Sequence, residues 1–306
     1  MTNRQLAALC GTYLAACLIT AGSTVVAVRP TSRRPVVAMI PRMRGDPYFV
    51  ECRKGAERAA RELGWELVWD GPTDADSTEQ IQIVNAWITR RADAIAVAVA
   101  DSGGLSPFLR EARDHGIRVI TWDSDADPAA RDLFVSPAAP QEIGRALADE
   151  AECLLSEGST LAVLGGNSRL AEQTDAVLRK RLSEGNPALK IVTVPLGSDD
   201  RDQALSETQT LIRTNTSVQV VVVLSSSALP GAAEAVLQSG RPDVKVIGLG
   251  LPASCRRYLD RGIVPALVYW NPQELGYLAT CRAAAGTFDS SGEVVLGRPQ
   301  VERHPQ

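Results

Sequence analysis

Val119-Ile120-Thr121-Trp122-Asp123-Ser124-Asp125 reads as a buried strand that ends on a large aromatic and two carboxylates. Strands of a parallel sheet are covered on both faces and so run apolar without alternation. In an open α/β sheet, ligands bind just beyond the carboxyl ends of the strands. Trp122, Asp123 and Asp125 stand at such an end.

Outward from this stretch, apolar runs at 36–41, 65–69 and 94–99 alternate with helical patterns at 47–63, 77–90 and 105–115. In 47–63, Phe49, Cys52, Ala56, Ala59, Ala60 and Leu63 share one face, and Gly64 ends the pattern. Ser77 is in place to cap the second helix, and Asp70-Gly71-Pro72-Thr73 is a turn signature. Short strands alternating with helices predict a parallel, doubly wound sheet.

After an extended piece at 133–136 the rhythm restarts, with helices at 143–155, 171–182, 203–213, 230–238 and 253–261. Strands fall at 161–164, 191–194, 218–224, 244–248 and 266–270. Single cores stop growing at about 250–300 residues, so the predicted fold class is α/β, with two doubly wound parallel-sheet lobes joined by a hinge. A last helix at 272–285 and a short strand at 294–296 follow. The expected division is a leader at 1–35, a first lobe from 36–136 plus 271–288, and a second lobe from 137–270 plus 289–302.

With 306 residues, 45% hydrophobic and 22% charged, the composition is that of a globular chain with a substantial core. Its 32 basic residues stand against 36 acidic ones, a formal net charge of -4, which argues against a nucleic-acid partner. Residues 5–28 are almost free of charge and flanked by Arg4, Arg29, Arg33 and Arg34, the pattern of an export segment. Within it, Leu14-Ala15-Ala16-Cys17 resembles a lipobox, with Cys17 as the residue to be lipidated. Apolar residues continue past Cys17, and a stretch of about 20 can also span a bilayer. Lipoprotein processing, an uncleaved anchor and ordinary secretion all remain open, and all three export the folded domain.

Cys52, Cys153, Cys255 and Cys281 are scattered singly through helical patterns and are expected to be buried free thiols. No pair has metal-ligand spacing and the only histidines are His115 and His304, so no metal site is expected. Catalytic signatures are lacking: there is no Gly-Lys-Ser/Thr phosphate loop, no Gly-x-Gly-x-x-Gly after a strand and no nucleophile elbow. Neither enzyme activity nor a cofactor is expected.

The residues beyond the strand ends form a recognisable set. Arg42, Tyr48 and Phe49 follow the first strand, Asp101 the third, and Trp122 and Asp123 the fourth. The second half offers Asn167, Glu172, Gln173, Ser225, Ser226, Ser227, Trp270 and Asn271. If the lobes face each other, these groups converge in one cleft. Carboxylates and amides pair with vicinal hydroxyls, an arginine fork donates to ring oxygens, and aromatic faces cover a sugar's C–H face. Structural roles compete: Trp122 and Trp270 as packing, Arg42 with Asp123 as an ion pair, Asp125 as a turn or cap residue, the serine run as a helix cap, and Asp101 as a loop residue.

Residues 36–41, Trp69-Asp70-Gly71-Pro72-Thr73, the stretch 116–125 and Ala228-Leu229-Pro230 resemble the type I periplasmic substrate-binding proteins of sugar ABC transporters. Among these, the rhamnose-binding and autoinducer-2-binding proteins share the Trp-Asp-Gly-Pro-Thr and Thr-Trp-Asp-Ser-Asp motifs. The resemblance spans 36–285 and implies two lobes joined by three crossings that close on ligand. It places a basic pocket residue at Arg42, where autoinducer-2 proteins have lysine, and the strand-end aspartate at Asp123. It also places an acidic and amide pair at Glu172 and Gln173, backbone contacts at Leu224 and Ser226, and a hinge-side group at Asn271. Glu172 and Asn271 depart from the aspartates of the autoinducer-2 pattern, and the tail is shorter.

The resemblance implies an exported solute-binding protein, periplasmic or anchored at the outer face of the cytoplasmic membrane. It would capture a monosaccharide, a pentose or a deoxyhexose such as rhamnose, for an ABC permease, and act as a monomer. A sugar or autoinducer-2 receptor feeding a signalling partner is the alternative.

Overall fold

The computed structural model describes residues 33–74, 76–165, 168–197, 200–286 and 292–304. The export segment with Cys17 and the candidate Asn167 lie outside them. No helix among the described residues is long and apolar enough to cross a membrane.

The first half builds β1 (Val36–Ile40), α1 (Pro47–Leu63), β2 (Glu66–Trp69), α2 (Ser77–Thr89), β3 (Ala94–Val97), α3 (Ser102–Asp114), β4 (Arg118–Trp122) and β5 (Leu133–Ala138). The chain then runs through α4 (Pro140–Glu152), β6 (Thr160–Gly165), α5 (Arg169–Gly185), β7 (Lys190–Pro195), α6 (Arg201–Thr214), β8 (Val218–Val223), α7 (Leu229–Ser239), β9 (Lys245–Leu249), α8 (Pro252–Leu259) and β10 (Ala266–Tyr269). It ends with α9 (Pro272–Ala285), β11 (Glu293–Gly297) and β12 (Gln300–Arg303).

These strands form two six-stranded sheets, ordered β11-β5-β4-β3-β1-β2 and β12-β10-β9-β8-β6-β7. All pairings are parallel except β10 with β12. The chain passes between sheets after β5, after β10 and after β11. The segment 289–302, expected whole in the second lobe, divides instead: β11 pairs with β5 in the first sheet, and only β12 reaches the second. Its alternating burial identifies a strand. Nothing in that alternation specifies which sheet accepts it.

The interlobe region depends on the start of α1. Asp46 caps it through its side chain, Pro47 occupies the first turn, and Gly64 closes it at φ 70. Asp76, rather than the Ser77 that the pattern suggests, caps α2 by accepting from Thr78 N and Glu79 N. The inner face of α1 carries Tyr48, Phe49, Cys52, Gly55 and Ala56, all buried. That face meets α9, where Gly55 lies against the backbone of Gln273 and Gly276 against the backbone of Cys52. The chain after β10 thus returns to the first lobe through a backbone-to-backbone helix contact.

Candidate interlobe binding site

Asp123, immediately after β4, sits at φ 63, a left-handed conformation that non-glycine residues rarely adopt. Its N–H still donates to Val135 O (3.1 Å), and the neighbouring Ser124 N–H turns back to Trp122 O (2.7 Å). Ser124 Oγ donates to Val99 O (2.7 Å), which ties the turn to the end of β3. The strained turn aims the Asp123 carboxylate inward, where it is 7% exposed.

Two sequence-predicted residues meet that carboxylate, and a third reaches it through one of them. The Tyr48 hydroxyl donates to Asp123 Oδ1 at 2.6 Å, and Trp270 Nε1 donates to the same hydroxyl at 2.7 Å. The Arg42 guanidinium is 3.7 Å from Asp123 Oδ2. Burial, and then the Asp123 charge, push the Tyr48 phenol well above its usual range, so it stays protonated and acts as the donor. Phe49 packs edge-on against Tyr48 (centroids 5.1 Å) and Trp122 (5.6 Å), and Trp270 packs edge-on against Tyr48 (6.3 Å). Trp122 is fully buried and its indole N–H has no partner. The proposed ion pair and the packing roles of the two tryptophans are thus both present.

Outside this cluster, a cleft of about 1110 Å³ runs between the lobes. Met43, Asp46, Tyr48 and Thr73 border it from the first lobe, and Arg201, Ser226, Leu251 and Tyr258 from the second. A hydrogen bond bridges it: Ser227 Oγ donates to Asp46 Oδ2 at 2.6 Å, while Asp46 Oδ1 accepts from Tyr48 N at 2.8 Å. One carboxylate therefore caps α1 and holds the second lobe. Behind the far wall, Glu234 accepts from the Tyr258 hydroxyl (2.7 Å) and from Gln238 Nε2 (2.9 Å), which with the Arg257 charge hold its carboxyl below the usual range.

The other candidates are dispersed. Asp101 caps α3 by accepting from Gly103 N (3.0 Å) and is exposed. Glu172 and Gln173 lie exposed near the start of α5; Gln173 borders a separate cavity of about 180 Å³ with Asp125, Arg131 and Ser136. Leu224 is buried, with its N–H donating to Leu164 O (3.0 Å). Asn271 is exposed and caps α9 through Gln273 N (3.0 Å) and Glu274 N (3.4 Å).

Two structural readings of the sequence require correction. Asp125 caps no helix; its Oδ1 accepts from Ala126 N at 2.9 Å within the loop, and it is also half of a buried bidentate pair, receiving Arg131 Nε at 2.6 Å and Nη2 at 2.9 Å. The serine run is not a cap, because Ala228 precedes α7 with no side-chain capping bond and Ser227 instead bridges the lobes. Sequence reasoning missed Asp46 and Arg131. The Asp-Pro pair at 46–47 signals a helix start, but Arg131 carries no local signal.

The thiols also differ from expectation. Cys52 and Cys255 are buried, Cys281 is half-buried and Cys153 is exposed. Burial pushes the Cys255 thiol up to about 12, and the thiolate is the reactive form. Brief labelling of the native protein with a maleimide, mapped by peptide mass spectrometry, is expected to modify Cys153 and spare Cys52 and Cys255. Equal labelling of Cys255 would contradict this packing.

A family described as "periplasmic binding protein domain" matches residues 37–285. The D-ribose/D-allose-binding protein of Pseudomonas aeruginosa is 27% identical over 254 residues, 77% of this chain and 78% of that protein. The ribose import binding protein RbsB of Bacillus subtilis is 27% identical over 239 residues, 77% and 76% of the two chains. Among solved structures, an ABC transporter solute-binding protein from Clostridium phytofermentas with bound L-rhamnose superposes with a TM-score of 0.83. It is 24% identical, with 89% of this chain and 96% of that one covered. LsrB from Clostridium saccharobutylicum in complex with AI-2 gives a TM-score of 0.80 at 20% identity, covering 88% and 97%. At these identities the solved structures speak to the fold.

Proposed function

The chain belongs to the periplasmic binding protein domain family, and from that premise we propose that it is an extracytoplasmic solute-binding protein of a sugar ABC importer. Its ligand is a monosaccharide, a pentose or a deoxyhexose such as rhamnose, which it delivers to a permease. The names of the relatives, which describe ribose- and allose-binding proteins, support the sugar class. The observation that carries the assignment to a site is the Asp123 carboxylate, held at the junction of the two lobes by a strained turn and flanked by Arg42, Tyr48 and Trp270.

Asp123 accepts from ligand hydroxyls, Arg42 donates to hydroxyl or ring oxygens, and Tyr48 and Phe49 cover the ring. Ser226, on the opposite wall of the cleft, supplies a contact from the second lobe. Asn271 and Asp101 contribute by holding helix starts. Gln173 reaches ligand only if closure brings α5 toward Asp123.

The test is calorimetric titration and a thermal-shift panel with L-rhamnose, D-ribose, xylose, arabinose, galactose and autoinducer-2. A ligand at 100 times its dissociation constant adds about 2.7 kcal/mol of apparent stability. Asp123→Ala is expected to weaken binding of the responding sugar about tenfold or more, because it leaves polar groups without their buried acceptor. Unchanged affinity in that variant would remove Asp123 from the site, and silence across the panel from a folded protein would overturn the sugar assignment.

A further inference from the structure

We propose that Gln80, buried under α2 and outside the lining of the cleft, is the residue that positions Arg42 and Asp123 for ligand. The proposal rests on the reading of these two side chains as sugar-binding groups. Arg42 follows β1 and Asp123 follows β4, and the sheet places β3 between those strands. Neighbouring strands lie about 4.8 Å apart, so a pair that meets at 3.7 Å from strands two places apart reaches across the end of β3. How the three strand ends are held together therefore decides where the two charges stand.

The three strands end at Ile40, Val97 and Trp122, and side chains continue the lacing beyond them. Gln80 is 1% exposed. Its Nε2 donates to Pro41 O at 3.2 Å and to Ala98 O at 2.8 Å, and its Oε1 accepts from Ala100 N at 3.0 Å. One amide thus joins the end of β1, at the residue before Arg42, to the end of β3. Between the two positions it grips after β3 lies Val99, whose N–H donates to Ser124 O at 3.2 Å and whose carbonyl accepts from Ser124 Oγ at 2.7 Å. Ser124 follows Asp123, which sits at φ 63, so the segment held by Gln80 in turn holds the strained turn. The first link needs a side chain that both donates twice and accepts, as a primary amide does. Without it, buried backbone groups lose their partners and the strand ends are free to shift.

The experiment compares wild type, Gln80→Met and Val84→Ala by hydrogen exchange of the sugar-free protein and by titration calorimetry with each member of the panel above. Methionine matches glutamine in length and removes all three bonds. Val84 is fully buried one turn further along α2, and its truncation loosens the same helix without removing a hydrogen bond. Both variants are expected to lower the thermal midpoint. Gln80→Met is expected to speed exchange in peptides covering Asp123 and Ser124 about tenfold and to weaken sugar binding about tenfold, the scale of one hydrogen bond to a charged group. Val84→Ala should change either by less than about twofold, because a cavity under the helix lowers global stability without opening the turn.

Equal exchange at the turn in wild type and Gln80→Met would overturn the proposal, as would faster exchange with unchanged affinity for a sugar that wild type binds. Either result leaves the sugar-binding reading standing. Equal weakening of binding by Val84→Ala would also overturn it, since any loosening of α2 would then suffice. Silence of wild type across the panel would overturn both readings. If Gln80→Met loses its cooperative thermal transition, Ser124→Ala decides, because it removes the Oγ bond to Val99 O. Faster exchange and weaker binding there support the proposal, and unchanged values overturn the relay from Gln80 to the turn.

Discussion

Arg131→Ala is expected to destabilise the protein by about 3–5 kcal/mol, the cost of leaving one member of a buried ion pair behind. Both side chains are 8% exposed. The guanidinium meets Asp125 through two bonds, and the same carboxylate oxygen accepts from Thr121 Oγ1 at 2.5 Å. Arg131 Nη1 also reaches Gly292 O at 2.5 Å. It thereby fastens the residue preceding β11 to the turn after β4, two strands away in the sheet. Arg131→Lys should recover little, because an ammonium cannot reproduce the planar fork. The double variant Arg131→Met with Asp125→Leu should come back much of the way, since apolar replacement of both partners is often neutral. Urea unfolding of wild type and these three variants checks the series, and a loss under about 1 kcal/mol for Arg131→Ala would show that the pair is solvated.

The second large effect is expected at Gly55. A Cβ there would stand 1.7 Å from Gln273 O, and one at Gly276 would stand 1.9 Å from Cys52 O. Neither oxygen can rotate away, because both are backbone, so α1 and α9 must separate. Overpacking typically costs about 1–3 kcal/mol and occasionally more, and against a backbone oxygen Gly55→Ala should lie at or above the top of that range. The better helix propensity of alanine returns at most about 1 kcal/mol. At about 2–4 °C per kcal/mol, the thermal midpoint should fall by roughly 5–10 °C. Gly297→Ala, where nothing lies within 4 Å, is the control and should change little. Because Tyr48 lies on the face of α1 that meets α9, the same variant should also weaken binding of any sugar that wild type binds, whereas the control should not.

These two positions mark where local reasoning stops. The strands and helices were legible because each depends on residues within a turn or two of itself. Apolar runs gave β1, β3 and β4, and the 3.6-residue spacing of Phe49, Cys52, Ala56 and Ala59 gave the buried face of α1. Asp123 was legible as a site candidate for the same reason, since a carboxylate after a buried strand can face only a ligand, a partner or solvent. Tyr48 and Trp270 were each legible as aromatics at strand ends. Their mutual bond was not, because 222 residues separate them.

What the sequence by itself determined is the alternation of elements, the two doubly wound lobes and the set of groups at the strand ends. Periodicity and capping are short-range properties written directly into neighbouring residues. The tertiary structure alone decided that β11 and β12 part company between the sheets, that Arg131 pairs with Asp125, and that Ser227 closes on Asp46 from 181 residues away. It likewise decided that the Tyr48 hydroxyl donates to Asp123. Each of these outcomes depends on which strand lies beside which and on where the chain crosses between lobes. No local pattern carries that information, because the same alternation of polar and apolar residues satisfies either sheet.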